Sequence, residues 1–234
     1  MKILAVDTAT QTCSIAICEN LSLLAESTLF RRQTHSRHLL EMIHQTINMS
    51  GTELDEIDGF AVTRGPGSFT GLRIGLSCVK GLAYAKDKPV VSVSSLEVLA
   101  TQAAINISSR GPDSVILCPL LDARKKEVYF TGFKKDNDRL VQVQPEMVLP
   151  PENLPRHIKG HCILMGDGAV LYRDLLTRLF KEHALFLPLQ HNYIRAHSIA
   201  ILSLERFKKG SFDDLSSLAP EYIRKSDAEC KMPH

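Results

Sequence analysis

Two distant segments of this chain share one pattern, and that repetition limits the folds open to it. Lys2-Ile3-Leu4-Ala5-Val6 has high strand propensity and ends on Asp7-Thr8. A polar turn, Ala9-Thr10-Gln11-Thr12, then leads into a second strand, Cys13-Ser14-Ile15-Ala16-Ile17-Cys18. Much later, Val115-Ile116-Leu117-Cys118-Pro119-Leu120-Leu121 ends on Asp122, and after a short turn Glu127-Val128-Tyr129-Phe130-Thr131-Gly132-Phe133 begins another strand. Strand, aspartate, polar turn, strand thus occurs twice, and 234 residues suffice for two modest lobes.

The segments around the first copy complete a mixed unit. Residues 23–29 make a third strand, so the chain opens with an antiparallel meander. The period then becomes helical over 36–49, with Leu39, Leu40, Met42, Ile43 and Ile47 as the apolar set and Gly51 as the stop. A strand over 57–63 meets Gly65-Pro66-Gly67-Ser68-Phe69-Thr70-Gly71, a helix spans 69–86, a strand spans 89–93, and a helix starts at Ser95. The polar break at 108–113 is the expected boundary. Beyond it come the second pattern, a strand at 163–165, Gly166-Asp167-Gly168, and helices over 169–180 and 197–209. The prediction is α/β: residues 1–107 as the first lobe and 108–234 as a smaller second lobe with fewer helices, its C-terminal helix packing back on the first. This architecture resembles the two-lobed actin-like ATPase (ribonuclease H-like) fold.

Composition is that of an ordinary globular protein, 44% apolar and 23% charged, with a net charge of +2. The pairs Arg31-Arg32, Lys125-Lys126, Lys134-Lys135 and Lys208-Lys209 are dispersed, which reads as solvated faces rather than the clustered footprint of a dedicated nucleic-acid binder. Cysteines at 13, 18, 78, 118, 162 and 230 show no Cys-x-x-Cys spacing and fit reduced thiols. With no signal region and no run near the ~20 apolar residues of a membrane span, a cytoplasmic protein is expected.

Four constellations bear on chemistry. Asp7-Thr8 could approach a phosphate and its magnesium, or form a hydroxyl turn that satisfies local donors; Asp122, at the matching place, would face Asp7 across a cleft. The glycine run sits where a helix N-terminus favours an anion, yet it lacks the Gly-Lys-Ser/Thr of a Walker loop and the Gly-x-Gly-x-x-Gly register. The helix behind it carries Gly71, Gly75 and Gly81 with Ser77, Cys78 and Ala85. Glycine within a helix is about 1 kcal/mol less favourable than alanine, so each implies close approach by another backbone, from the same lobe or from a second chain. The second chain is the expectation taken forward, with a large residue at Gly75 blocking association while the fold survives. His35 and His38 share a helical face but lack a third metal ligand. Gly166-Asp167-Gly168 is either a tight turn or the adenosine side of a cleft. No catalytic set and no metal site is expected.

Several segments, in order, resemble the TsaB family: Asp7-Thr8-Ala9-Thr10, Thr34-His35-Ser36, the glycine run through Leu72-Arg73-Ile74-Gly75, Lys80-Gly81-Leu82-Ala83, Val93-Ser94-Ser95-Leu96, Asp122-Ala123-Arg124-Lys125-Lys126-Glu127-Val128-Tyr129 and Ala219-Pro220-Glu221-Tyr222-Ile223-Arg224. The resemblance implies a non-catalytic paralogue of TsaD, the subunit that transfers threonylcarbamoyl to adenosine 37 of tRNA. His35 and His38, separated by two residues and lying in an earlier helix, do not match that subunit's metal-binding His-x-x-x-His pair. It further implies a heterodimer with TsaD through the first two helices, recruitment of the ATPase TsaE, a homodimer of the isolated chain, and indirect or weak tRNA contact. No cofactor is required, although ATP or ADP could lie at a subunit interface. Carried onto this sequence, the partner surface includes His38, Met42, Gly71, Leu72, Arg73, Gly75, Leu76 and Val79, and the vestigial nucleotide site Asp7, Thr8, Asp122, Gly166 and Gly168. The competing readings are an active ATP-dependent kinase or ATPase using Asp7 and Asp122, and a metallopeptidase-like protein.

Overall fold

The computed structural model describes residues 1–30, 35–105, 115–136 and 139–224. Arg31-Arg32, Thr34, the expected boundary at 108–113, Cys230 and His234 lie outside the described residues. The first lobe opens with β1 (Lys2–Asp7), β2 (Thr12–Glu19) and β3 (Ser22–Phe30). It continues through α1 (Leu39–Ser50), β4 (Gly59–Gly65), α2 (Phe69–Lys86), β5 (Val90–Ser94) and α3 (Ser95–Ile105). The second repeats the sequence of elements with β6 (Ile116–Asp122), β7 (Val128–Asp136), β8 (Arg139–Leu149), α4 (Leu154–His157) and β9 (Cys162–Met165). Then follow α5 (Asp167–Leu171), α6 (Arg173–Phe180), β10 (Ala184–Phe186) and α7 (Ala196–Lys208).

The two sheets have one topology. The first runs β3-β2-β1-β4-β5 and the second β8-β7-β6-β9-β10, each an antiparallel meander followed by two parallel strands. Every first-lobe helix has a counterpart in the second, which corrects the expectation of fewer helices. The second lobe is reduced in helix length: α4 spans 4 residues where α1 spans 12, and α5 and α6 span 5 and 8 where α2 spans 18. The single helix read over 169–180 breaks at Tyr172 into α5 and α6. The structure adds the edge strand β8 and the short β10 to the strands expected from the sequence. Outward residues interrupt the apolar run of β8, where Arg139, Val141, Gln142 and Val143 are exposed.

Strand alternation divides the interior into layers. Ile3 and Ala5 face one side of β1 while Leu4 and Val6 face the other, and both sides are buried. Leu4, Val6, Phe60 and Val62 pack under α1 and α2 with Ile43, Ile47, Leu76 and Val79. Ile3, Ala5, Ala61 and Val91 pack against α3 and α7, and Leu117, Leu121 and Ile163 of the second sheet close that same cluster from below. The helices α3 and α7 are therefore sandwiched between the sheets. This explains why Leu96, Val98, Leu99, Ala100 and Ala103 of α3 form no single apolar stripe: a helix covered on all sides is apolar all round. Cys118, Leu120, Phe130 and Leu176 form the outer core of the second lobe. Burying each such large side chain is worth about 1.5–3 kcal/mol.

Candidate functional site

Asp7 ends β1 with no exposure to solvent. Its Oδ1 accepts from the Thr63 hydroxyl at 2.7 Å and from the Ala9 amide at 3.1 Å, while its buried Oδ2 has no hydrogen-bond partner. Burial pushes this carboxyl up to about 7 against the pull of those hydrogen bonds, and the charge of Asp167 adds to the rise. Asp167, at the first turn of α5, accepts from the Asp122 amide at 2.9 Å and is raised to about 6, again chiefly by burial. The carboxyl whose charge reaches Asp7 across the lobes is Asp167. Asp122 instead turns to its own hairpin, where it accepts from the Arg124 amide at 2.9 Å and pairs with the Arg124 guanidinium at 3.3 Å. Asp167 thus joins the expected Asp7 and Asp122 as a third acid, bonded to the Asp122 amide. The β–turn–β equivalence of Asp7 and Asp122 hid this carboxylate, although Gly166-Asp167-Gly168 carried a signal for it.

The turn after Asp7 docks on the glycine run. The Thr8 hydroxyl donates to the Gly71 carbonyl at 2.8 Å, and the Ser68 amide donates to the Ala9 carbonyl at 2.7 Å. A β-carbon at Gly67 would collide with the Ala9 carbonyl, one at Gly71 with the Thr8 carbonyl, and one at Gly75 with the Thr8 hydroxyl. The Ser68 side chain caps α2 by accepting from the Gly71 amide at 3.3 Å. Three amides of the two hairpin turns are engaged locally: Ala9 N–H serves Asp7, Thr12 N–H serves Thr10 Oγ1 at 3.3 Å, and Arg124 N–H serves Asp122. At the glycine run, the Ala9 carbonyl lies against Gly67 and the Thr8 carbonyl against Gly71.

The expected partner face on α2 splits in two. Gly71, Leu72, Gly75, Leu76 and Val79 are buried, as is Met42 of α1, and His38 is half-buried. The clearance made by Gly71 and Gly75 is taken up by Thr8 of the same lobe, so the reading of these glycines as an open surface for another chain is corrected. Gly81 differs: among the described residues, nothing lies within 4 Å of where its β-carbon would be. It is exposed in line with Ser77 and Ala85, one helical turn to either side, and next to Tyr84, which is 84% exposed. On α1, Leu40 and Met49 are 64% and 61% exposed. Arg73 is exposed and preorganised: its guanidinium lies 3.8 Å from the Phe69 ring centroid, and its Nε donates to the Tyr222 hydroxyl at 3.0 Å.

In the second lobe, the glycines serve close approach to β6. A β-carbon at Gly166, where φ is 101°, would strike the Leu120 carbonyl, and one at Gly168 would crowd the Leu120 backbone. His35 is held by the Thr10 carbonyl at 2.8 Å from its Nε2. Among the described residues, no group of three or more His, Cys, Asp or Glu side chains is placed to hold a metal ion. Cys13, Cys18, Cys78, Cys118 and Cys162 are unbridged. No helix among the described residues is long and apolar enough to cross a membrane.

Comparison with known proteins agrees with this architecture. A family model described as TsaD, tRNA N6-adenosine threonylcarbamoyltransferase, matches residues 24–232. The tRNA threonylcarbamoyladenosine biosynthesis protein TsaB of Escherichia coli strain K12 is 30% identical over 240 residues, spanning 100% of this chain and 99% of that protein. The structure of YeaZ from Pseudomonas aeruginosa superimposes with a TM-score of 0.79 at 27% identity, covering 94% of this chain and 99% of that one. A ROK hexokinase from Thermus thermophilus shares the fold at a TM-score of 0.50 and 12% identity, with 90% of this chain and 100% of that chain covered. With its duplicated actin-like lobes and a relative matched from end to end, the chain belongs to the TsaB family.

Proposed function

We propose that this chain is a non-catalytic scaffold and activator subunit in tRNA threonylcarbamoyladenosine biosynthesis, acting in the cytoplasm. It pairs with the threonylcarbamoyltransferase TsaD through the outer edges of α1 and α2, recruits TsaE to the pair, and forms a homodimer by the same face when alone. The observation that carries the reading is Gly81. This helix-interior glycine has no close approach among the described residues to account for it, and it lies between Ser77 and Ala85 beside the exposed Tyr84. Small residues at this spacing let a second helix come close, and exposed Tyr84, Leu40 and Met49 supply apolar anchors. Recruitment of TsaE rests on the family resemblance.

A lack of chemistry within this subunit is supported by Asp7, which is sealed from solvent and spends Oδ1 on Thr63 and Ala9. The chain needs no cofactor of its own in this reading, and any adenine nucleotide sits between subunits. The test is size-exclusion chromatography with light scattering on the chain alone and mixed with TsaD. A homodimer that exchanges for a 1:1 heterodimer, together with threonylcarbamoylation that requires both subunits, is expected. A chain that stays unassociated, or that turns over ATP alone at the rate of the whole system, overturns the reading.

A further inference from the structure

The turn joining β6 to β7 holds three consecutive non-glycine residues in the left-handed region: Arg124 at φ 61°, Lys125 at φ 51° and Lys126 at φ 63°. The Glu127 amide closes the turn on the Arg124 carbonyl at 2.9 Å, which puts Lys125 and Lys126 at the two central positions. A two-residue hairpin turn with both central φ values positive ordinarily takes Asn-Gly, since a β-carbon is disfavoured there. Here those positions hold two lysines, and all three residues of the tip are cationic and exposed.

The surrounding structure holds the tip in this conformation. The Asp122 carboxylate accepts from the Arg124 amide at 2.9 Å, and the Ala123 amide donates to the Glu127 carbonyl at 3.0 Å. From the C-terminal segment, Arg224 donates to the Ala123 carbonyl at 2.9 Å and pairs with Glu127 at 3.2 Å. Each flanking acid is thus engaged by an arginine, Asp122 by Arg124 and Glu127 by Arg224. The result is a rigid platform presenting a short cationic ridge, with no apolar residue at its tip. Backbone strain kept in place by its surroundings is characteristic of functional turns. A ridge of charge without apolar anchors suits a phosphate backbone better than the core of a protein interface.

We propose that the Arg124-Lys125-Lys126 turn is a contact for the phosphate backbone of RNA, specifically of the tRNA on which the proposed pathway acts. The identity of the RNA rests on the proposed function; the anionic, apolar-free character of the ligand rests on the turn. Such a contact positions the nucleic acid without reading its sequence, and its contribution is salt-dependent.

The test measures binding of bulk tRNA to the full chain by fluorescence anisotropy between about 50 and 200 mM salt, the range over which phosphate contacts change affinity most visibly. Two double variants separate charge from strain. Lys125→Asn with Lys126→Gly removes both charges and relaxes the turn, whereas Lys125→Gln with Lys126→Gln removes the charges and keeps the left-handed side chains. Both are expected to weaken tRNA binding, and to lower the slope of log affinity against log salt by about 1 per lysine that contacts a phosphate. Only the Asn/Gly variant is expected to melt higher than the wild type. No salt-dependent binding by the wild-type chain, or an unchanged slope in both variants, overturns the proposal. So does a loss of TsaD association in place of tRNA binding, which would assign the turn to a protein contact. Failure of the chain to pair with TsaD, with tRNA binding still carried by the lysines, would sink the subunit reading and leave this one standing.

Discussion

The Thr8 hydroxyl donates to the Gly71 carbonyl, and Thr8's own carbonyl stands where a β-carbon on Gly71 would fall. The turn after the first strand and the start of α2 are therefore fitted backbone to backbone, and Gly75 one turn on accommodates the Thr8 hydroxyl. Gly71→Ala and Gly75→Ala are each expected to destabilise the fold by about 2 kcal/mol or more, despite alanine's better helix propensity. The measurement is the denaturant midpoint at unchanged m value. A gain in stability at either position would show that α2 can move away from the turn.

Because the obstruction at Gly75 is the Thr8 hydroxyl, the two positions are coupled. Thr8→Ala alone removes the donor to the buried Gly71 carbonyl, at a cost of about 1–2 kcal/mol. In that background the penalty of Gly75→Ala is expected to shrink by about 1 kcal/mol or more, the non-additivity typical of touching side chains. Additive penalties in the double-mutant cycle would separate the two residues.

Asp7 gives the fold a pH dependence of definite sign. Its carboxyl is raised from 3.8 to about 7 in the folded chain, so between those values the folded state binds more protons than the unfolded one. Stability from this group is therefore greatest below pH 4, declines as pH rises towards 7, and is level above that. Asp167, raised to about 6, acts in the same direction over a narrower window. Asp7→Asn keeps an acceptor for Thr63 and Ala9 but does not ionise. Relative to wild type it should gain stability on going from pH 4 to pH 8, by about 2–4 kcal/mol at about 1.4 kcal/mol per pKa unit. Thermal melts across that range check this, and a pH-independent difference between the two proteins would place the Asp7 carboxyl at its ordinary value.

Much of the architecture could be read from residue order alone. The two strand–aspartate–turn patterns do mark the equivalent strands β1 and β6, and α2 spans the residues its pattern predicts. What failed depended on which side of an element faces its own chain. Gly71, Gly75 and Gly81 are the same residue type on one helix, and propensity alone assigns each the same penalty. Their roles diverge because the β1–β2 turn, sixty residues earlier in the chain, covers two of them and leaves the third open. Asp167 is hidden in the sequence for a related reason. Nothing local to a Gly-Asp-Gly turn reveals that folding brings its carboxylate near Asp7 and over the Asp122 amide. Likewise, the Lys125-Lys126 pair looks like any solvated pair until its backbone is seen in the left-handed region.

The distinction among the glycines yields the most direct test of the proposed pairing face. Gly81→Leu places a side chain into open space, so it should leave the fold intact and, by helix propensity, stabilise it by up to about 1 kcal/mol. On the outer surface the same leucine fills the gap between Ser77 and Ala85 and would hold an approaching helix away. Association with TsaD should weaken by at least about 1.4 kcal/mol, or tenfold in Kd. Tyr84→Ala should weaken it by a similar amount through loss of an aromatic anchor. Gly75→Leu would also abolish binding, but through disruption of the Thr8 contact, and its melting temperature would fall with it. Titration by light scattering alongside thermal melts separates these cases: a stable Gly81→Leu chain that binds TsaD with wild-type affinity would remove α2 from the interface.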